Sequence, residues 1–526
     1  MESNFRRLSE NSGIFSETDT EIILSGEFFK IEEVVSVESL SEMSLLSQVS
    51  SGTSGGFAIN EDENINYMKN NPNLNLTGRN VIIAIADTGI DYLHPDFINA
   101  DGTSKILYLW DQTKEGNSPE GFYFGTEYTR DDINRAISEN DSTLSTDEVG
   151  SGTLLSGICA GLGVSNSLYE GVAKDSELIV IKLGTIDGKY NNAYYYVARD
   201  YARKKARELE RPLIINTSVG TNSDVGFINR ATQSTIWYQY GECEIAGIGN
   251  EGNTQTHASG KISSSGETQT VEIEIEEEEE FLKIELWICR PDRVNIKIIS
   301  PTGEESKDVG LGYYKKESGI FNFENTTYAV FYVFPTSYSG QEFITINLYN
   351  ASPGVWKINL TGVYINSGCY NVYLPNRSLI NQNTRFLEPD PFYTVNFPTV
   401  DRNIFTVGAY DMINNSMWPP SSRGPNIRNI QKPNIVAPGV NIISAYPHNR
   451  YGNITGTSAA AAVTSGVAAL FLQYVTQNNQ YKRQGFTQSI YSFFQLGADR
   501  EDNIQYPNFI YGYGLLNARK IFEEFR

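Results

Sequence analysis

Residues 76–91 read LTGRNVIIAIADTGID. The apolar run Val81–Ala86 lies between turn formers on both sides, the composition of a strand buried on both faces, as a parallel sheet requires. Runs of the same kind recur at 177–184 (ELIVIKLG), 212–220 (PLIINTSVG), 244–252 (EIAGIGNEG) and 403–411 (NIFTVGAYD). Helical stretches such as 192–210 fall between them, so strand, helix and strand alternate. Right-handed crossovers then predict an α/β fold, a doubly wound parallel sheet with helices on both faces. Such sheets place their sites at the carboxyl ends of the strands, where Asp87 ends this one.

At 526 residues the chain exceeds what one hydrophobic core usually fills, so more than one folded unit is expected. Between 256 and 395 the texture changes: segments such as TVEIEIEEEEEFLKIELWI, YAVFYVF and QEFITINLYN alternate apolar and polar residues between turns. That pattern predicts an all-β sandwich inserted between two parts of one α/β sheet. Residues 1–55 contain an alternating TEIILSG, a later SVESLSEMSLLSQ and a closing SSGTSGG, and predict a small leader folded by itself. The predicted division is therefore 1–55, 56–255, 256–395 and 396–526. The acidic run Glu276–Glu280 is predicted as a solvated strand end or loop without a functional role.

Hydrophobic residues at 40% and charged residues at 20% place the chain among ordinary globular proteins. The net charge of −22 repels nucleic acid and anionic membranes and favours protein or cationic partners. No basic-then-apolar signal follows Met1, and no run of about 18 apolar residues predicts membrane insertion. Cys159, Cys243, Cys289 and Cys369 lack paired spacing and are expected to be buried free thiols. His94, His257 and His448 lie far apart, so neither a metal site nor a cofactor is expected.

Residues 83–97, IAIADTGIDYLHPDF, resemble the aspartate motif of the subtilisin-like serine proteases, the subtilases, with Asp87 in the place of the triad aspartate. GIGNEGN (247–253) resembles the segment whose asparagine amide stabilises the oxyanion, which puts Asn250 in that role. GTSAAAAVTSG (456–466) resembles the nucleophile motif, with Ser458 as nucleophile and helix start at once, although Ala462 stands where the family usually carries proline. Ser218, Val219 and Gly220 resemble the strand that lines the substrate cleft. Asp, Asn and Ser motifs in this order, each after its own strand, make coincidence a poor explanation. The resemblance covers about 60–255 and 396–526, and implies a subtilisin-like parallel sheet, with the leader as a short prodomain and the insert as a jelly roll.

The histidine motif of that family aligns with GSGTLLSGICAG (150–161), and there Ser151 stands where the histidine belongs. The chemistry needs an imidazole to take the serine proton near neutral pH and return it to the leaving amine. A hydroxyl is neither basic nor cationic in that range. In subtilisin, removal of the triad histidine lowers kcat about a millionfold, or about 8 kcal/mol of barrier. His94 belongs to the aspartate motif and His257 follows the asparagine motif. His448, ten residues before Ser458, is the one imidazole left for a rescue.

The opening LTGRNVIIAIADTGIDYLHPDF, the insert after GNEGN and the ending YPNFIYGYGLLNARKIF (506–522) together resemble the Csp branch of subtilases, germination proteases of clostridial spores. That resemblance implies spore localisation. It also implies partners among germination proteins: an active Csp paralogue, the cortex hydrolase precursor it processes, or a small-molecule germinant. Members of the branch that have lost triad residues are pseudoproteases, and the Ser151 substitution predicts the same here, with residues 1–55 left uncleaved. The enzyme alternative is a slow serine endopeptidase with a non-standard base, and the third reading is a structural scaffold with an idle cleft.

Overall fold

The computed structural model describes residues 41–71, 74–223, 225, 239–310, 315–334, 336 and 341–525. It also gives the backbone of three short strands, Phe15–Ser16, Asp19–Ile23 and Phe28–Lys30, which form one antiparallel sheet. The rest of the predicted leader before residue 41 lies outside the described residues.

Around the cleft the chain runs β1 (Glu42–Leu45), β2 (Gln48–Ser50), β3 (Ile82–Asp87), β4 (Ile106–Asp111), α1 (Ser151–Ala160), β5 (Glu177–Lys182) and α2 (Asn192–Glu208). It continues through β6 (Leu213–Thr217), β7 (Val219–Gly220), β8 (Glu242–Gly247), β9 (Phe405–Asp411), β10 (Ile435–Pro438), β11 (Ile442–Tyr446), β12 (Arg450–Thr455) and α3 (Thr457–Gln477). The main sheet has the order β9-β8-β6-β3-β5-β4, parallel throughout, with β10 pairing parallel to β9. Antiparallel strands Thr126–Thr129 and Ser416–Met417 pair with β4 and β9.

All six residues of β3 are buried, and because alternate side chains face opposite covered sides, Ile82–Ala86 are all apolar, with Asp87 the exception at the carboxyl end. Ile83 and Ile85 pack with Leu154 and Ile158 of α1 and with Ala459 and Val463 of α3. Ile82, Ala84 and Ala86 face the other way, against Tyr195, Ala198 and Tyr201 of α2. A strand sandwiched between helix layers has no polar face to spare. The small residues that open α3 let it lie close to the sheet: a Cβ on Gly247 would collide with Thr457. Although α3 is long and apolar enough to cross a membrane, 89% of its apolar window is buried within the fold. It is a core helix, built from alanine, serine and glycine rather than from an uninterrupted apolar run.

The insert forms two antiparallel sheets. Six strands, ordered 257–261, 369–373, 279–288, 342–351, 326–333 and 315–321, face four, ordered 293–299, 354–364, 268–275 and 385–386. Ile284, Ile346, Val330, Trp356 and Phe386 meet in a core of their own. From the outer face of the larger sheet, Trp287, Val333 and Phe343 pack into the core beneath α2. Within the acidic run, Glu276, Glu277 and Glu278 are exposed at the turn as expected, while Glu279 is buried and accepts hydrogen bonds from the Asn381 N–H (2.9 Å) and the Thr384 hydroxyl.

The expectation of four free thiols is corrected. Cys289 and Cys369 form a disulfide with Cα atoms 5.5 Å apart, while Cys159 and Cys243 are free and buried. Adjacent strand ends bring the pair together: the Cys289 N–H donates to the Cys369 carbonyl at 3.0 Å. Their separation of 80 residues hides that proximity in the sequence.

Candidate functional site

Asp87 ends β3 and is fully buried. Its carboxylate accepts from the Thr88 N–H at 2.7 Å and from the Ser218 hydroxyl, itself just beyond the end of neighbouring β6. Burial pushes the Asp87 carboxyl up to about 6, and the nearby charge of Asp147 adds to the rise. Hydrogen bonds from Ser218, Thr88 and Ser151 oppose it.

Ser151 opens α1, one residue after Gly150, whose φ is +89°. Asp147 fixes this helix start. Its two oxygens accept from Gly150 N (2.7 Å), Thr153 N (2.8 Å), Thr153 Oγ1 (2.6 Å) and Thr88 Oγ1 (2.6 Å). Thr88 Oγ1 in turn accepts from Gly152 N at 3.0 Å. The residue after the triad aspartate position is thereby clipped to the residue after Ser151, which sets Ser151 against Asp87. On its other side Ser151 Oγ lies 3.0 Å from Ser47 Oγ. Where a proton relay needs an imidazole, the line runs carboxyl, hydroxyl, hydroxyl.

Ser458 sits in the first turn of α3, fully buried. Asn250 follows β8, and its Oδ1 accepts from Thr457 N (3.1 Å) and Thr457 Oγ1 (2.9 Å), which turns the Nδ2 end of the amide away from Thr457. The Ser458 hydroxyl donates to the Leu46 carbonyl at 2.8 Å, and the Ser458 N–H points at the same oxygen from 3.3 Å. Gly456, at φ +148°, is required here, since any Cβ would strike that Leu46 oxygen.

The cleft is therefore filled by the chain's own residues 42–50. β1 runs antiparallel between the strand 189–191 and β7, with Met43 opposite Tyr190 and Leu45 opposite Val219. The Leu46 N–H donates to Ser218 O at 2.9 Å, and the Leu46 side chain, 1% exposed, lies against Gly220. Past Ser47, β2 pairs antiparallel with β12. Residues 41–50 thus join the sheets of the main body rather than a leader unit of their own. The peptide bond after Leu46 lies where a serine protease would hold the bond to be cut.

Of the predicted site residues, Asp87, Ser151, Asn250 and Ser458 converge, and Ser218, Val219 and Gly220 form the cleft wall. The histidines are engaged elsewhere. His94 Nε2 bonds Arg450 O at 2.9 Å and its Nδ1 accepts from Asp96 N. Both ring nitrogens of His257 are bonded, to Asp390 O and Asn371 Oδ1. His448 is exposed in the turn between β11 and β12, its N–H bonded to Asp91. No hydrogen bond joins an imidazole to Asp87, Ser151 or Ser458. Leu46, Ser47, Asp147 and Thr457 were not singled out in the sequence. The short apolar stretch SEMSLLSQ was the one signal for the first two.

The family model for the subtilase family matches residues 78–276 and 376–514. The chain belongs to the subtilase family. The match is interrupted between 276 and 376, within the β-sandwich. Serine protease AprX of Bacillus subtilis is 34% identical over 145 residues, 24% of this chain and 31% of that protein. A subtilisin of Bacillus sp. TA39 is 30% identical over 194 residues, 36% of this chain and 39% of its own length. The chain thus spans 31% and 39% of the lengths of these curated relatives. The structure of the Clostridium perfringens CspB protease superposes with a TM-score of 0.79 at 25% identity, over 88% of this subtilase and 96% of that chain.

Proposed function

We propose that this subtilase is a pseudoprotease that regulates spore germination by binding, as a germinant sensor or as a controller of an active Csp protease. One observation carries the reading: the position that must hold the general base holds Ser151, hydrogen-bonded to the buried Asp87 and to Ser47, with no imidazole in reach. The Ser458 proton goes to the Leu46 carbonyl instead of to a base. Occupation of the cleft by residues 42–50 supports the same view, since a segment of the chain held in the substrate's place competes with any other peptide. The place in germination rests on the likeness to the Csp branch, and the partners expected are other germination proteins.

The test is genetic. A Ser458→Ala allele is expected to support germination as the wild type does, because binding does not use the hydroxyl as a nucleophile. Loss of germination by that allele, with the protein folded and abundant, would overturn the reading in favour of catalysis.

A further inference from the structure

On the outer face of the larger sandwich sheet, Phe281, Tyr349, Thr327 and Ile320 stand in register across four strands. Phe281 is 42% exposed and Ile320 49%, and Phe323 in the adjoining turn is 81% exposed. Six residues further along the same strand, about 20 Å away, Trp287 is buried against the core beneath α2. One end of this face is thus used internally and the other is bare. Scattered apolar residues on a surface are ordinary, but a cross-strand row with an aromatic turn beside it is a continuous patch.

The patch is rimmed by carboxylates. Glu276, Glu277, Glu278 and Glu280 immediately precede Phe281 and are exposed. Glu304 and Glu324 flank Phe323, bonded to neutral donors: Asn322 and the Phe323 N–H for Glu304, Thr302 for Glu324. The ion pairs of the sandwich involve other carboxylates. The same face carries Lys283, paired with Glu285, and Lys316, set over the Phe331 ring, but the six rim carboxylates outnumber them. An apolar row inside net negative charge fits one kind of partner, a polypeptide surface with apolar anchors set among lysines or arginines.

We infer that this end of the sandwich is a docking surface for a basic, apolar-anchored protein segment. Glu276, Glu277, Glu278 and Glu280, read from sequence as solvated and idle, become the electrostatic rim of that surface. The surface is separate from the cleft, so the inference stands whether or not the cleft is catalytic.

The probe is a labelled peptide of alternating lysine and leucine, with an alternating glutamate and leucine peptide as control, titrated against the whole protein by fluorescence anisotropy. Two charge-matched variants are compared: Glu276, Glu277, Glu278 and Glu280 all changed to Gln, and Glu115, Glu120, Glu139 and Glu210 all changed to Gln. A third variant carries Phe281→Ser with Ile320→Ser. The first and third are expected to weaken basic-peptide binding at least ~tenfold, with the second unchanged and exchange protection confined to 276–281 and 316–327. Equal losses in both charge variants would mean attraction to the overall negative field and would overturn the proposal. Undiminished binding in the first and third variants, or no binding by the wild type, would overturn it too.

Discussion

At the scale of single residues, a buried carboxyl at the end of β3 sets the conditions of the site. Asp87 is held buried with its carboxyl near 6, above the ordinary carboxylate value of 3.8. The fold therefore binds its proton more tightly than the unfolded chain does. Ionisation of Asp87 subtracts from stability as pH rises through the interval from about 4 to 6, and the loss is complete above it. The rise from 3.8 to about 6 corresponds to roughly 3 kcal/mol. Asp87→Asn removes that term, and Ser218 Oγ, 3.1 Å from Ala86 O, has another acceptor to turn to. The variant is expected to melt higher than wild type at pH 8 and to lose that advantage at pH 4. A difference that does not change with pH would refute this account of Asp87.

Restoration of the imidazole is a second test at this scale. In the rotamer of Ser151, a ring would run into Ser47 Oγ, only 3.0 Å from Ser151 Oγ. Ser151→His is expected to lower the melting temperature, as an overpacked site does by about 1–3 kcal/mol. Adding Ser47→Gly is expected to recover much of that loss in a thermal melt. Asp87, Asn250 and Ser458 were legible in the sequence because each lies at a strand end or helix start with its own local signature. Ser151 was legible by the glycines around it. Ser47 and Leu46 were not, since their partners lie more than 100 residues away.

Among elements, the decisive one is the extended segment that β1 and β2 frame. It is held by strand pairing on both sides and by two buried anchors, Met43 and Leu46, each 1% exposed. Truncation of a buried leucine usually removes about 2–5 kcal/mol. Leu46→Ala is therefore expected to raise hydrogen exchange across 42–50 well above wild type while the main sheet stays protected. Unchanged exchange over 42–50 would show that the segment does not depend on its seat beside Gly220. The parallel strands were readable as apolar runs because both faces of each are buried. The cleft strand was not, because β1 mixes buried and half-buried positions over only four residues, too short for a period to show.

Across the whole molecule there are three cores, one on each face of the parallel sheet and one within the sandwich, and the one beneath α2 is shared with Trp287, Val333 and Phe343 of the sandwich. The alternation of apolar and polar residues between 256 and 395 is the sequence signal for the strands of the sandwich. The disulfide was not visible, because strand order rather than spacing brings Cys289 to Cys369. Closure of an 80-residue loop restricts the unfolded chain by on the order of 4 kcal/mol. Its removal by Cys289→Ser with Cys369→Ser is expected to lower the melting of the sandwich by more than that of the subtilase body. Calorimetry resolves the two, and a common shift of both would argue that the cores melt as one.

As the proposed pseudoprotease, the chain neither cuts nor acylates, because Ser151 stands at the base's position and residues 42–50 fill the cleft. Intact mass after long incubation with a fluorophosphonate probe tests this most directly, with Ser458→Ala in parallel. The account predicts a single unmodified mass, with no cut after Leu46 and no adduct. An adduct, or a fragment beginning at Ser47, that disappears in Ser458→Ala would contradict it.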